Sequence, residues 1–200
     1  VSVLFEDSEG LFHNRDSLGN DFDLMPGDLY WLKAGAGVIH DESPRQGAKI
    51  HGLQVFVNLP SADKKSEPSY LHVRAQDMPV YEEHGGRIRI VLGETNGISG
   101  QQAPASPMTI LDGRIDAQST FSHQLKGGEN AWLYAIKGEL DMAICEQEIN
   151  LLAGQSIAIL SSGETSFNTV RVSNSGNQQA HFASLQASLS PKILFRKALS

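Results

Sequence analysis

Short runs rich in Val, Ile and Leu recur along this chain, broken by Gly, Pro, Asn and Asp. A period of two between inward and outward positions is what a pleated strand imposes. The pattern predicts strands over residues 1–5, 11–15, 28–33, 38–42 and 50–58, and a hairpin of 80–83 with 87–92 around Gly85 and Gly86. From Met108 the pattern resumes, with strands over 108–112, 119–125, 131–136, 140–145, 149–152, 154–160, 167–172 and 180–186. Residues 16–20, 43–49, 59–70 and 74–78 read as turns or loops, 93–107 as a crossing between domains, and 191–200 as a short terminal helix or an arm. Many short strands at regular spacing point to an all-β sandwich or barrel.

The most informative stretch runs from Pro26 to Pro44 and reads PGDLYWLKAGAGVIHDESP. Pro26 and Gly27 form a turn, and Ala34-Gly35-Ala36-Gly37 forms another with almost no Cβ bulk. On the strand between Val38 and Glu42, alternation sends His40 and Glu42 to one side and Asp41 to the other. An imidazole and a carboxylate two apart on one strand face make half of an N/O metal site of the kind that suits non-haem iron. On the strand over 50–58, Gln54, Phe56 and Asn58 share one face, and Leu53, Val55 and Val57 the other.

Composition narrows the class. Forty per cent hydrophobic and 20% charged residues suffice for a packed core, so the chain is globular. A net charge of −7 argues against a nucleic-acid surface, and no apolar run has the length of a membrane helix. The single Cys145 excludes an internal disulfide and fits a reducing cytoplasm. The halves also rhyme: FEDSEGLF…MPGDLYWLKAG in the first parallels IKGELDMAI…LAGQSIAILSSG in the second. Two copies of one β-barrel unit are therefore expected, over 1–100 and 101–200.

Three segments carry a family resemblance: HNRDSLGN (13–20), the stretch from Pro26 to Pro44, and HGLQVFVNLPSADKKSEPSY (51–70). Together they resemble signature segments of the pirin family, whose members are bicupins, two jelly-roll barrels in one chain. The resemblance implies a first barrel that binds Fe(II) or another divalent metal through a His-x-His pair and a later His-x-Glu pair. The later pair maps onto His40 and Glu42, with Glu42 also a candidate catalytic base. The earlier pair belongs to a segment expected just ahead of Val1, so the first cupin is expected to be truncated at its start. With two protein ligands the chain as given is expected to bind metal weakly and turn over little, and an unpaired sheet edge would favour strand exchange or a homodimer.

The implied activity is that of a quercetin 2,3-dioxygenase, cleaving a flavonol-like substrate with O2, with Gln54 and Phe56 on the pocket wall. The alternative is a non-catalytic regulator that binds another protein, of transcription or of a metabolic enzyme. Neither reading involves a membrane or direct nucleic-acid binding. Elsewhere, Trp31 and Trp132 read as core residues, and His51 as satisfying a backbone group. His72, His84 and His123 read as solvated. His123 stands where a metal ligand of the second barrel would be, but Leu125 follows two residues on, so that barrel is expected to be structural and metal-free.

Overall fold

The computed structural model of the chain describes residues 1–160 and 168–188, and the backbone of 193–196. Its strands are β1 (Ser2–Leu4), β2 (Phe12–Asp16), β3 (Asp21–Leu24), β4 (Leu29–Lys33), β5 (His40–Pro44), β6 (Gly52–Val57) and β7 (Ser69–Val73). A 3-10 turn at Ala75–Asp77 leads to β8 (Val80–Glu83), β9 (Gly86–Leu92), β10 (Glu94–Thr95), β11 (Ile98–Ser99) and β12 (Met108–Ile115). Then follow β13 (Ser119–Leu125), β14 (Glu129–Lys137), β15 (Glu139–Ile144), β16 (Gln147–Leu152), β17 (Ser156–Ile159), β18 (Asn168–Asn174), β19 (Ala180–Ser188) and β20 (Ile193–Arg196). No helix among the described residues is long and apolar enough to cross a membrane.

The chain divides into two compact units. One holds Val1–Met78, Ala103–Ser106 and strand β20; the other holds Pro79–Gln102 and Pro107–Leu189. The division falls between Met78 and Pro79, ahead of the crossing expected at 93–107, because the hairpin β8–β9 joins the second unit's sheet through β12.

In the first unit a five-stranded sheet, β20-β6-β1-β4-β7, faces a three-stranded one, β3-β2-β5. Leu4 and Tyr30 from the larger sheet meet Leu24 from the smaller, with Phe12, Phe22, Leu32 and Ile50 packed around them. In the second, a six-stranded sheet, β17-β14-β19-β12-β9-β8, and a four-stranded one, β13-β18-β15-β16, enclose a larger core that includes Ile90, Leu133 and Phe182 from one sheet and Phe121, Leu140 and Val172 from the other.

The internal repeat is visible as hydrogen-bonding topology. In the first unit β1 pairs β4 and β6, while β2 pairs β3 and β5. In the second, β14 pairs β17 and β19, while β15 pairs β16 and β18. The schemes coincide strand for strand, so the chain is all-β and built from two cupin-type barrels in tandem.

Four details depart from the pattern-based expectation. Strand β3 was not foreseen, although Asp21 and Asp23 alternate with Phe22 and Leu24. Strand β7 closes the segment expected to be a connector, and its Tyr70 and Leu71 pair with Leu32 and Trp31. Strand β5 starts at His40 and runs to Pro44, which pairs with Phe12, so the expected strand is displaced by two residues. Residues 193–196 form a strand against β6, where a helix or arm was expected; the rest of that tail lies outside the described residues. The turn before β5 does depend on glycine: Gly35 has φ +53, and a Cβ there would lie 2.1 Å from the Ser66 carbonyl oxygen, which accepts from the Ala36 amide.

Candidate functional site

The site lies inside the first unit, on the face that the smaller sheet turns toward the larger one. Register sets it. Asn14 stands opposite Glu42, and Asp16 opposite His40, across β2 and β5. Alternation buries Asn14 and Asp16 while Arg15 between them is exposed. From the larger sheet, Ser2 on β1 lies between Tyr30 on β4 and Gln54 on β6.

Glu42 is the centre of this arrangement. Its side chain is 8% exposed, and its two oxygens accept from Ser2 Oγ at 2.8 and 2.9 Å. Gln54 Nε2 reaches Glu42 Oε2 at 3.5 Å. His40, with a side chain 37% exposed, places Nδ1 4.0 Å from the same oxygen. Two donors of one ion, each roughly 2.0–2.2 Å from it, can stand up to about 4 Å apart. Adjacent ligands of a tetrahedral or octahedral ion stand roughly 3–3.5 Å apart, so His40 Nδ1 and Glu42 Oε2 are near each other at 4.0 Å without being at ligand spacing, while their donor types suit a divalent ion. Among the described residues no third His, Cys, Asp or Glu joins them in a cluster.

His40 also lines a cavity of about 240 Å³ together with Leu32, Val38, Gln54, Phe56 and Leu59. Val1 and Lys33 line it as well, so polar groups share the wall with apolar ones, and Gln54 links it to Glu42, which is not itself in the lining. Phe56 is 52% exposed and stands on its outer side.

Behind this layer lies a polar group that sequence reasoning missed. Asp16 accepts from the Tyr30 hydroxyl, from Asn20 Nδ2 at 2.9 and 3.0 Å, and from the amides of Leu18 and Asn20. Burial by itself raises the Asp16 pKa, but the donors outweigh it and hold the carboxyl below its ordinary value. The Tyr30 phenol is pushed well up, by burial first and then by the Asp16 carboxylate. Asn14 is fully buried beside the Tyr30 hydroxyl, and a side-chain hydrogen bond between the two is among the influences on that phenol. It is close enough to Tyr30 to offset part of the phenol's rise. The readable signal was the DSLGN turn, in which an aspartate bonds its own following amides.

The other histidines have defined places. His51 stacks edge-on against Phe5, and its Nδ1 lies 2.9 Å from Asp7. His84 is exposed, as expected. His72 is not solvated: it lies on β7, stacks on Phe22, and places Nε2 2.8 Å from Asp28. Nor is His123, which is buried on β13 with Nδ1 2.7 Å from Thr95 Oγ1 and Nε2 2.6 Å from Gln186 Oε1. Since an amide oxygen only accepts, Nε2 carries the proton and Nδ1 accepts from the threonine. Burial lowers the His123 pKa; the Gln186 bond opposes this and the Lys126 charge adds to it. Trp31 is core, whereas Trp132 is half-buried and stacks on Tyr134.

Comparison with known proteins follows this geometry. A family model described as Pirin matches residues 4–57. Pirin of Homo sapiens is 29% identical over 182 residues, covering 91% of this chain. The chain spans 60% of the length of that relative. The crystal structure of GK1651 from Geobacillus kaustophilus is similar at a TM-score of 0.81 and 29% identity, over 94% of this chain and 72% of that one. A quercetin 2,3-dioxygenase from Acinetobacter baumannii is similar in fold at a TM-score of 0.77 and 24% identity, over 94% of this chain and 63% of that one.

Proposed function

Because this chain belongs to the pirin family of cupin proteins, we propose that its first barrel holds a divalent metal ion at His40 and Glu42 and serves an O2-dependent oxidation of quercetin 2,3-dioxygenase type. The observation that carries this reading is the approach of His40 Nδ1 to Glu42 Oε2 at 4.0 Å, with His40 and Gln54, which donates to Glu42, both lining a cavity of about 240 Å³. Pockets for small organic ligands are mostly apolar with a few placed polar groups, and this one fits that description.

Lewis acidity toward a flavonol's 3-hydroxyl oxygen, and redox contact with dioxygen, are what such an ion supplies when bound. The chain's own residues do the rest. His40 would supply a ring nitrogen to the ion. Glu42 would hold it through its carboxylate and accept the substrate's hydroxyl proton, with the Ser2 hydroxyl keeping the carboxylate in place. Gln54 donates its amide to the carboxylate and fixes its direction. Val38, Phe56 and Leu59 cover the aromatic faces of the substrate and keep water away from it.

Metal analysis after anaerobic loading with Fe(II), followed by aerobic incubation with quercetin, tests the reading. Iron retained at one ion per chain, with quercetin and O2 consumed together, supports it. Iron retention unaltered by His40→Ala would remove its basis. Iron retained without quercetin consumption would leave the site and refute the reaction, favouring action through a bound protein.

A further inference from the structure

We propose that the second barrel is itself a binding site, for a small neutral organic molecule that carries one acceptor oxygen on an apolar body. The inference does not rest on the His40–Glu42 reading, which concerns the other barrel.

His123 on β13, with Ser184 and Gln186 on β19, borders a small inner void of about 10 Å³. The rest of the lining is apolar, with Phe121, Leu125 and Val170 among it. A void of that size admits one oxygen-sized atom. Hydrogen bonding says which kind. His123 Nε2 donates to Gln186 Oε1, and Gln186 Nε2 donates to Ser184 Oγ at 3.3 Å. The relay of donors ends at the Ser184 hydroxyl, which accepts that amide and donates to none of the described residues. Ser184 is 6% exposed, and a buried O–H calls for an acceptor. A ligand oxygen in the void supplies one. Burial holds the His123 pKa below its ordinary value, so the imidazole is neutral at pH 7 and the lining carries no charge.

The internal repeat brings out the contrast with the first barrel. Strand β19 corresponds to β6, and the two carry Gln186 and Gln54 respectively. Strand β18 corresponds to β5. Where β5 bears His40 and Glu42, β18 turns Val170 and Val172 into the core. The second barrel has thus kept the amide and exchanged the titratable pair for methyl groups, which suits an uncharged ligand.

The apolar body has a place as well. Ile159 lines both the void and a groove of about 560 Å³, so the two adjoin at its side chain. Ile144, Ile149, Ile157 and Leu160 give the groove its apolar character. Its size is that of small-molecule pockets, for which the mouth of a β-barrel is a usual place. The one charged residue in its described lining is Glu146, which disfavours an anion.

The test is NMR titration of the whole chain, labelled at isoleucine methyl groups, with acetophenone and, as its charged counterpart, benzoate. Acetophenone is expected to shift the Ile144, Ile157 and Ile159 signals saturably, at millimolar concentration or below, and benzoate to leave them in place. Ser184→Ala removes the donor with little change in volume and should raise the acetophenone Kd at least fivefold. Ile159→Trp obstructs the passage from the groove without touching the polar residues, and should abolish the saturable shift at Ile144 and Ile157. A thermal melt shows that each variant is folded; if one is not, the other decides. No saturable shift in wild type would overturn the proposal, leaving the void with room for a water alone. A Kd unaltered by these variants would overturn it too, and binding of benzoate as tight as that of acetophenone would refute the neutral ligand.

Discussion

The hydroxyl of Tyr30 donates to the carboxylate of Asp16, tying β4 of the larger sheet to the end of β2 in the smaller one. The bond crosses the first barrel at the level of the candidate site, and both residues are buried. Tyr30→Phe leaves the ring and removes the donor. It should destabilise the protein by about 1.5–3 kcal/mol, as for a hydrogen bond to a charged group. The Asp16 carboxyl has a folded pKa below its unfolded value. Its contribution is therefore present above the unfolded value near 3.9 and is lost as pH falls through the folded one. Urea titrations at pH 7 and pH 3 should show a smaller wild-type-to-variant difference at the lower pH.

His40→Ala should abolish divalent-ion binding and change the metal-free melting temperature little. The side chain is 37% exposed and makes no close bond, its nearest charged neighbour lying at 4.0 Å. Calorimetric titration and a thermal melt on the same sample check both halves. A drop of several degrees without metal would make the residue a packing element instead.

In the second barrel the buried neutral His123 carries a pH dependence of the opposite chemical type. It is a base whose folded pKa lies below its ordinary 6.5, with Lys126 and Glu94 as the charged groups acting on it. The stability it contributes is present above about pH 6.5 and is lost as pH falls through the folded value. Wild type should lose more unfolding free energy between pH 7.5 and 5.5 than His123→Gln does, measured by denaturant titration. Equal losses would show that the ring is not held neutral by the fold.

Gly113 on β12 pairs with Phe182 on β19, and a Cβ at Gly113 would stand 2.3 and 2.4 Å from two atoms of the phenyl ring. Both positions lie in a sheet whose neighbours are fully buried, so the ring has little room to retreat. Gly113→Ala should cost about 1–3 kcal/mol, the usual range for overpacking. Adding Phe182→Leu should recover part of it. A double variant no better than the sum of the two single ones would place the strain elsewhere.

Strand alternation alone was enough to put His40 and Glu42 on one face and Gln54 with Phe56 on another, because a period of two is a property of one strand. It could not bring β5 next to β2, or Ser2 next to Gln54, since register between strands depends on contacts far apart in sequence. Asn14, Asp16 and Tyr30 therefore escaped notice as a group. Strand β7 was hidden by the charged, proline-bounded residues that precede it. His123 was read as solvated because its partners, Thr95 and Gln186, come from strands 28 residues before and 63 after it. Whether a polar side chain is buried is decided by such distant partners and not by its neighbours in the chain.

Strand β20 hydrogen-bonds to β6, so the sheet that opens the chain is extended by a strand near its far end, while residues 79–189 form most of the other unit between them. During synthesis β6 is made early, and the strands of the other unit are all made before its neighbour β20. The larger sheet of the first unit is thus begun early in translation and completed only after every described strand of the second unit has been made, which makes its outermost pairing one of high sequence separation.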